Sequence, residues 1–334
     1  MASKKSSKYW IGVDLGGTKM LAVVFDESFE IISKKKRKTR GEEGSSVGLK
    51  RLGDAIQEAL DQVEIKICQV SGIGIGAPGP LDLKKGILVN APNLGWTRAP
   101  VRKVLESRFD IPVFVINDVD AGVYGEFRFG AAKEARTAVG IFPGTGIGGG
   151  GVFRGELIQG DRQSCMEIGH LVVQPGGSRC GCGQYGCLET VSSRLAISAA
   201  ALVAAHRGKA PYLLEQSGGV LSEIRSGLLA QSIKEGDKAV ENIVRRAASW
   251  IGIGVSTLVQ LFAPDVVVLG GGLVEAMPEL FLSEVEKSAR KNVMSVYKNS
   301  FKLKVAELGD DAAVLGAASW GQAVTEGITG GAPA

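Results

Sequence analysis

The residues best suited to chemistry are concentrated in one segment, where one histidine is followed by three closely spaced cysteines. His170, Cys180, Cys182 and Cys187 form a His-Cys₃ set, the kind of set that binds Zn²⁺ tetrahedrally. Glycines between the cysteines would let so short a loop fold around one ion. Because four protein ligands leave no open position for water, we expect the zinc to be structural rather than hydrolytic.

Two glutamates, Glu167 and Glu189, bracket the cysteine cluster, and we expect the metal to hold both in place. Each carboxylate can accept hydrogen bonds from adjacent hydroxyl groups, which suits a polyhydroxylated ligand such as a sugar. A lone histidine more often packs than binds a metal, but the neighbouring cysteines favour the metal interpretation. The cysteine count is odd, at five, and the basic N-terminus lacks the apolar core of a secretory signal. Both features predict a reducing cytoplasm.

Another carboxylate, Asp118, lies where a strand predicted over 113–117 meets a helix predicted over 118–129. This position is the carboxyl edge of a sheet, where ligand sites form in α/β proteins. Position alone leaves two interpretations open. Asp118 caps the helix, or it is the base that accepts a proton from a substrate hydroxyl during phosphoryl transfer.

Three glycine-rich turns account for part of an unusually high glycine content, 47 of 334 residues. The first, residues 14–19, joins two predicted strands, so its backbone N–H groups could face an anion while Asp14 holds hydrated Mg²⁺; an ordinary hairpin is the alternative. The second, residues 144–151, contains G-x-G-x-x-G but continues as a strand, which argues against a dinucleotide fold. The third, 270–272, follows a strand and opens a helix. Together the turns predict a nucleotide held between two halves.

The elements that must position these groups occur in two similar series, which predicts two α/β halves. Predicted strands cover 8–13, 19–25, 29–36, 70–76, 113–117, 137–142, 149–153, 265–270 and 302–308. Predicted helices cover 46–62, 100–108, 118–129, 194–207, 238–263 and 312–325, with another opening at GGLVEAMPEL.

Charge and hydropathy exclude several classes of protein. Residues 34–40 carry six positive charges, but no aromatic residue interleaves with them, so we interpret the run as a solvated strand end rather than a nucleic-acid groove. Residues 247–263 are uncharged but contain serine, threonine and glycine, which indicates a buried helix rather than a membrane span.

Taken together, the motifs resemble those of the ROK family of sugar kinases and repressors. The resemblance runs from about residue 9 to 322, and the EIGH and CGCGQYGCLE pair is its most specific part. The matching segments are DLGGTK (14–19), APGPLD (77–82), NAPNLGW (90–96), IND (116–118), PGTGIGGG (143–150), EIGH (167–170), CGCGQYGCLE (180–189) and VVLGGGL (267–273).

This resemblance implies an α/β chain with the two-lobed actin-like ATPase fold, also called sugar kinase/ribonuclease H-like, with ATP and sugar in a central cleft. The small lobe would comprise residues 1–118 plus 312–334, and the large lobe residues 119–311. The family also often forms homodimers, so a homodimer is expected here.

The resemblance also implies a role for each site residue. Asp118 would be the general base toward the sugar 6-hydroxyl, and Asp14 would bind Mg²⁺. The sugar would contact Asn93, Asn117, Asp118, Glu167, His170 and Glu189, and His170 would use its other ring nitrogen on zinc. ATP would contact Gly16, Gly17, Thr18, Lys19, Gly144, Thr145, Gly146, Gly271 and Gly272. The chain departs from many relatives at Asp120, a second carboxylate near the base that would raise its pKa if close, and at Met166.

The expected activity is therefore ATP-dependent phosphorylation of a hexose at its 6-hydroxyl, with glucose favoured because NAPNLGW resembles glucokinases more than fructokinases. N-acetylglucosamine, N-acetylmannosamine, allose and fructose are alternative substrates, and polyphosphate is an alternative donor. A sugar-sensing repressor is disfavoured because thirteen residues precede Asp14, too few for a DNA-binding domain. A non-catalytic sugar-binding protein is disfavoured because Asp118 and the phosphate turns are intact. Neither a membrane nor a specific nucleic-acid partner is expected.

Overall fold

Residues 9–160 and 165–328 are described by the computed structural model, and they form thirteen strands and eleven α-helices. The strands are β1 (Tyr9–Leu15), β2 (Lys19–Phe25), β3 (Ile31–Lys38), β4 (Val70–Ala77), β5 (Leu81–Asp82), β6 (Ile87–Ala91), β7 (Trp96–Ala99), β8 (Val113–Asn117), β9 (Ala138–Pro143), β10 (Ile147–Phe153), β11 (Glu156–Leu157), β12 (Val266–Leu269) and β13 (Lys302–Val305). The helices are α1 (Ser45–Asp61), α2 (Val101–Phe109), α3 (Asp118–Phe129), α4 (Glu189–Ser192), α5 (Arg194–His206), α6 (Pro211–Ser217), α7 (Ser226–Lys234), α8 (Lys238–Phe262), α9 (Gly272–Ala276), α10 (Pro278–Asn292) and α11 (Ala312–Thr325).

The chain divides into two compact units. Unit 1 comprises Met1–Lys133, Gly150–Met166 and Asp310–Ala334, and unit 2 comprises Glu134–Gly149 and Glu167–Gly309. Each unit is therefore built from segments that are separate in sequence.

Unit 1 contains a five-stranded sheet in the order β3-β2-β1-β4-β8. β1, β4 and β8 are parallel, and β2 and β3 add antiparallel strands at one side. The strands β1, β2, β4 and β8 are apolar and largely buried, whereas the edge strand β3 is charged and mostly exposed. Helix α1 packs on β2 and β3, and α11 packs on β1 and β4. Glycines at positions 12 and 74 let the α11 backbone approach the sheet closely. The three parallel strands end at one edge, which therefore carries Asp14 and Asn117.

Helix α3 packs along α11, and both helices belong to unit 1. The first boundary between the units therefore lies after α3 rather than before it, as the sequence suggested. The sequence suggested a division at residue 118, whereas residues up to 133 group with the first unit. Gly125 and Gly316 make the close approach possible, because a side chain on either would collide with the facing helix backbone. Because α3 and α11 are nearly two hundred residues apart in sequence, no local sequence pattern predicts that they pack together.

A three-stranded antiparallel sheet, in the order β5-β6-β7, also belongs to unit 1 and was not predicted. Trp96 anchors it: the indole is buried, donates from Nε1 to the Gly41 carbonyl at 3.1 Å, and fills the space beside Gly48. The hairpin between β6 and β7 carries Asn93, one of the expected sugar ligands.

The second sheet has the order β11-β10-β9-β12-β13, the same serial pattern as the first. β9, β12 and β13 are parallel, and the long α8 packs against α10 in unit 2. The predicted repetition of an α/β series is therefore confirmed. No helix among the described residues combines the length and apolar character that a membrane crossing requires.

Several element boundaries differ from the predicted ones. The third strand runs two residues later than expected, and the helix after the third glycine turn is broken at Met277, which separates α9 from α10. The segment 208–236, to which no structure was assigned, contains α6 and α7. The other predicted helices agree with the observed helices to within one residue at each end, and the other predicted strands agree to within three residues at each end.

Candidate functional site

The first glycine turn, Gly16–Thr18, joins β1 to β2 in unit 1. Gly16 donates its N–H to the Lys19 carbonyl at 3.0 Å, and a side chain at Gly16 would meet that same oxygen. Thr39 fixes the turn from outside by donating its hydroxyl to the Gly16 carbonyl at 2.7 Å. Gly17 and Thr18 are exposed, so the turn presents its central residues to a ligand.

Two carboxylates lie at the carboxyl edge of the unit 1 sheet beside this turn. Asp14 is the penultimate residue of β1, and Asp118 follows β8, with β4 between the two strands. Burial and the nearby Asp118 charge raise the pKa of Asp14 from 3.8 to about 7, against an opposing effect of Lys19. Gly76 of β4 separates the two strands, and a Cβ there would lie 3.5 Å from Asp118 Cα. A pair of neighbouring carboxylates beside an exposed glycine turn can hold a cation and accept a proton.

Asn117, not Asp118, caps helix α3. Asn117 Oδ1 accepts from the N–H groups of Val119 at 2.9 Å and Asp120 at 3.2 Å. The capping interpretation of Asp118 is therefore wrong, because its neighbour already occupies that position. Asp118 is the first helical residue, and its Oδ1 accepts from the Val119 N–H at 3.0 Å. The Asn117 oxygen is fully used by the backbone, so its amide group remains to donate to a ligand.

Lys19 forms an ion pair with Asp310, at 2.7 Å, a residue that sequence analysis did not identify. Asp310 also contributes to the raised pKa of Asp14, so it belongs to the electrostatics of this edge. Its position before α11 brings it to the turn only through long-range packing, and no motif marks it. The basic run is partly neutralised in the same way, since Lys34 pairs with Asp311 and Lys35 with Glu58.

Asn93 lies against the first glycine turn. Its backbone oxygen is 3.1 Å from where a Cβ on Gly17 would stand, so the β6–β7 hairpin and the turn are in close contact. The Asn93 residue itself is exposed, as is Asn90 on the same hairpin. Both asparagines are therefore available to a ligand at this end of unit 1.

In unit 2 the second glycine turn, Gly144–Gly146, joins β9 to β10, and Glu189 holds its end. Glu189 Oε2 accepts from the Ile147 N–H at 3.0 Å, and its approach leaves no room for a side chain at Gly146. The second oxygen, Oε1, lies 3.7 Å from Cys180 Sγ. Glu189 therefore links the glycine turn to the cysteine cluster within one unit.

The four expected zinc ligands come together in unit 2. Their ligand atoms all lie within 4.8 Å of one another, with His170 Nδ1 3.6 Å from Cys180 Sγ and Cys182 Sγ 3.8 Å from Cys187 Sγ. A tetrahedral ion with Zn–S bonds of about 2.3 Å needs sulfur atoms about 3.8 Å apart, whereas a disulfide needs about 2 Å. The spacing therefore fits a metal and not a disulfide.

The His170 turn is packed against the start of β10. A side chain on Gly169 would collide with the Ile147 carbonyl, so the turn bearing Glu167 and His170 sits close to the second glycine turn. Glu167 is exposed, and its carbonyl accepts from the His170 N–H at 3.0 Å. Because Nδ1 faces Cys180, the Nε2 atom of His170 is left for another partner.

The third glycine turn adjoins the second in unit 2. Gly271 has a φ of 80°, and a side chain there would meet the Pro143 carbonyl at 2.9 Å, so only glycine fits easily. Gly272 begins the five-residue helix α9 and faces Ser226 of α7. Gly144–Gly146 and Gly271–Gly272 thus come together, as a shared nucleotide site requires.

These features define an α/β protein with two five-stranded sheets of the same strand order, and comparison with known proteins places it among the actin-like sugar kinases and their relatives. The ROK family model matches residues 10–324, so the chain belongs to the ROK family. A glucokinase from Halalkalibacterium halodurans is 31% identical, over 93% of this chain and 94% of that protein.

The chain is also similar to solved kinase structures and to repressors. A ROK glucokinase from Streptomyces griseus, solved with glucose and AMPPNP, superposes with a TM-score of 0.78 and 34% identity, covering 93% of this chain and 98% of that one. A protein from Caldicellulosiruptor described as a putative xylose repressor is 30% identical over 92% of this chain and 76% of its own length. The expected actin-like ATPase fold is confirmed, and the family includes both kinases and repressors.

Proposed function

We propose that the protein is an ATP-dependent hexose kinase that phosphorylates the 6-hydroxyl group, with glucose as its main substrate. The similarity to glucokinases over nearly the whole chain supports a hexose kinase. Glucose rather than another hexose rests on the NAPNLGW segment alone.

The observation that carries the proposal is the pair of carboxylates, Asp14 and Asp118, beside the first glycine turn. A sugar-binding protein needs hydrogen-bond partners, but it does not need two neighbouring carboxylates, one of which has its pKa raised by burial and by the charge of the other. Phosphoryl transfer needs both roles, a base for the acceptor hydroxyl and an anchor for the cation of the nucleotide. The pair therefore favours a kinase over a repressor.

Asp118 accepts the proton of the sugar hydroxyl as the oxygen attacks the terminal phosphate. Its Oδ1 accepts from the Val119 N–H at 3.0 Å, which orients the carboxylate at the start of α3. Asp14 would bind Mg²⁺, which neutralises phosphate charge when bound. The two glycine turns, with Gly16, Gly17, Thr18 and Lys19 in one and Gly144, Thr145 and Gly146 in the other, hold phosphates through backbone N–H groups. Gly271 and Gly272 contact the adenosine.

The hexose would contact Asn93, Asn117, Asp118, Glu167, His170 and Glu189, the residues that the resemblance to sugar kinases implies. His170, Cys180, Cys182 and Cys187 would hold a zinc ion, and because four protein ligands would leave no open position, its role would be structural. When bound it would fix the His170 ring, leaving Nε2 for a sugar hydroxyl, and would steady the cysteine loop that Glu189 contacts. We also predict that the protein is located in the cytoplasm and forms a homodimer.

The experiment measures formation of the sugar phosphate over a panel of hexoses: glucose, N-acetylglucosamine, N-acetylmannosamine, allose and fructose, each with ATP and then with polyphosphate as donor. The sugar phosphate is followed because transfer from polyphosphate releases no ADP. We expect the highest kcat/KM with glucose and ATP. 6-Deoxyglucose is the matched control, since it keeps the other hydroxyls but lacks the acceptor. Hexose-independent ADP release from ATP would contradict the proposal by indicating ATP hydrolysis without transfer to sugar. Absence of sugar phosphate with every hexose would also contradict it and would favour a sugar-sensing regulator.

A further inference from the structure

The second glycine turn is held by an arginine that no motif identifies. Arg194, the first residue of α5, donates its backbone N–H to the Gly144 carbonyl at 2.8 Å. Its side chain returns to the same turn, where Nη2 donates to Thr145 Oγ1 at 2.8 Å. One residue thus contacts the turn through both backbone and side chain.

The arginine is itself well anchored. Ser193 caps α5 by accepting the Ala196 N–H at 3.2 Å, which fixes the helix where Arg194 begins it. The other guanidinium nitrogen, Nη1, lies 3.5 Å from the Ile224 carbonyl, which also accepts from the Ser198 hydroxyl at 2.8 Å. The guanidinium is therefore oriented from two directions rather than swinging freely in solvent.

In the contact between Arg194 and Thr145, the arginine is the donor and the threonine hydroxyl is the acceptor. A threonine hydroxyl has one hydrogen and can accept as well as donate, whereas a guanidinium can only donate. When Thr145 accepts from Arg194, its own hydrogen must point to another acceptor. Thr145 is exposed at the tip of the turn, and a phosphate oxygen is an acceptor that suits this position.

The charge of Arg194 supports an anionic ligand. Among the described residues, the acidic groups that form ion pairs do so with other cations, and none pairs with Arg194. Its two side-chain contacts are to a hydroxyl and a carbonyl, so within residues 9–160 and 165–328 no carboxylate neutralises its charge. A positive charge beside a glycine turn suits a polyphosphate group.

We propose that Arg194 is a positioning residue that aims the Thr145 hydroxyl at the phosphates of the bound nucleotide. The inference rests on the proposed function, because it takes the Gly144–Gly146 turn as a phosphate-binding turn. It adds a residue outside the family motifs and assigns it to the nucleotide rather than to the sugar.

Binding of AMPPNP and of adenosine to Arg194→Gln, measured by titration calorimetry, tests the proposal. We expect AMPPNP affinity to fall about tenfold, the loss of one charge-assisted contact, and adenosine affinity to stay within about twofold. The KM for ATP should rise while the KM for the hexose does not. A merely structural role would weaken adenosine and AMPPNP equally, and that result would overturn the proposal.

Two further variants sharpen the test. Thr145→Val removes the hydroxyl, and the double variant with Arg194→Gln should lose less than the product of the two single losses, because the residues act through one contact. Arg207→Gln, at the exposed far end of α5, is the matched control and should bind AMPPNP normally. Independent, multiplicative losses would overturn the positioning role.

Failure of this inference is distinguishable from failure of the proposed function. Wild-type protein that binds AMPPNP and phosphorylates hexose, with Arg194→Gln unchanged, overturns the assignment of Arg194 alone. Wild-type protein that binds no AMPPNP overturns both.

Discussion

Replacement of Asp14 by asparagine is expected to stabilise unit 1 at neutral and alkaline pH while it abolishes activity. The pKa of the Asp14 carboxyl is raised from 3.8 to about 7 by burial and by the Asp118 charge. The folded protein therefore keeps this proton up to about pH 7, whereas the unfolded chain loses it near pH 4. Folding becomes less favourable as the pH rises between these values, and Asp14→Asn removes that penalty.

The magnitude follows from the size of the shift. A difference of about three pKa units, at about 1.4 kcal/mol for each, gives an upper limit of about 4 kcal/mol above pH 7. Asp14 retains some exposure to solvent, which screens the charge, so we expect about 2 kcal/mol. Below about pH 3 the gain should vanish, since the carboxyl is then mostly protonated in both the folded and the unfolded state.

Urea unfolding of wild type and variant between pH 5 and 8 measures this difference. Three of the four tryptophans, Trp10, Trp96 and Trp320, lie in unit 1, so their fluorescence mainly follows the relevant unit. Magnesium and nucleotide are left out, and no chelator is added because it would remove zinc. Asp110→Asn, at an exposed position in the same unit, is the control. A gain for Asp14→Asn that does not grow with pH would refute the reasoning.

Three other outcomes follow from the structure. Purified protein should contain about one zinc per chain by elemental analysis, and Cys182→Ser should lower that content; folded, active protein without metal would exclude the zinc assignment. Zinc uptake by metal-free protein should release protons, because burial and the neighbouring thiols raise the pKa of Cys187 to about 12 and the metal must displace that proton. A fall in pH on zinc addition, recorded in weakly buffered solution, would show the release, and no fall in pH would contradict it. Gly125→Ala should lower the free energy of unfolding by about 1–3 kcal/mol because its Cβ would meet the Ala312 carbonyl, whereas Gly227→Ala, with open space in α7, should be neutral or slightly stabilising; equal effects in thermal unfolding would contradict the packing argument.

Elements with a regular apolar pattern were predictable from the sequence. The parallel strands follow from short runs of apolar residues, and helix α3 follows from the change at Asn117 from a strand-like to a helix-like spacing of apolar residues. The strands β5 to β7 were missed because they have two to five residues, too few for a pattern, between closely spaced turns. Helices α6 and α7 lie in a segment divided by glycine and serine, and they form where tertiary packing overrides weak local preference.

The candidate site was predictable where chemistry needs a particular residue type at a particular spacing. The cysteine cluster is the clearest case, since its four ligand atoms converge as expected. The choice between Asn117 and Asp118 as helix cap was not readable, because either side chain can accept the same backbone N–H groups. Asp310 and Arg194 were missed for another reason: each reaches its turn through contacts with residues far away in sequence.

The most direct measurement of the central claim is phosphoryl transfer by Asp118→Asn. Glucose binding, followed by intrinsic fluorescence, and glucose 6-phosphate formation, followed by a coupled assay, should be measured on the same preparation. We expect glucose affinity within about threefold of wild type and a loss of turnover of at least about a hundredfold, the usual contribution of a general base. Near-normal turnover by Asp118→Asn would contradict the account, whatever its affinity for glucose.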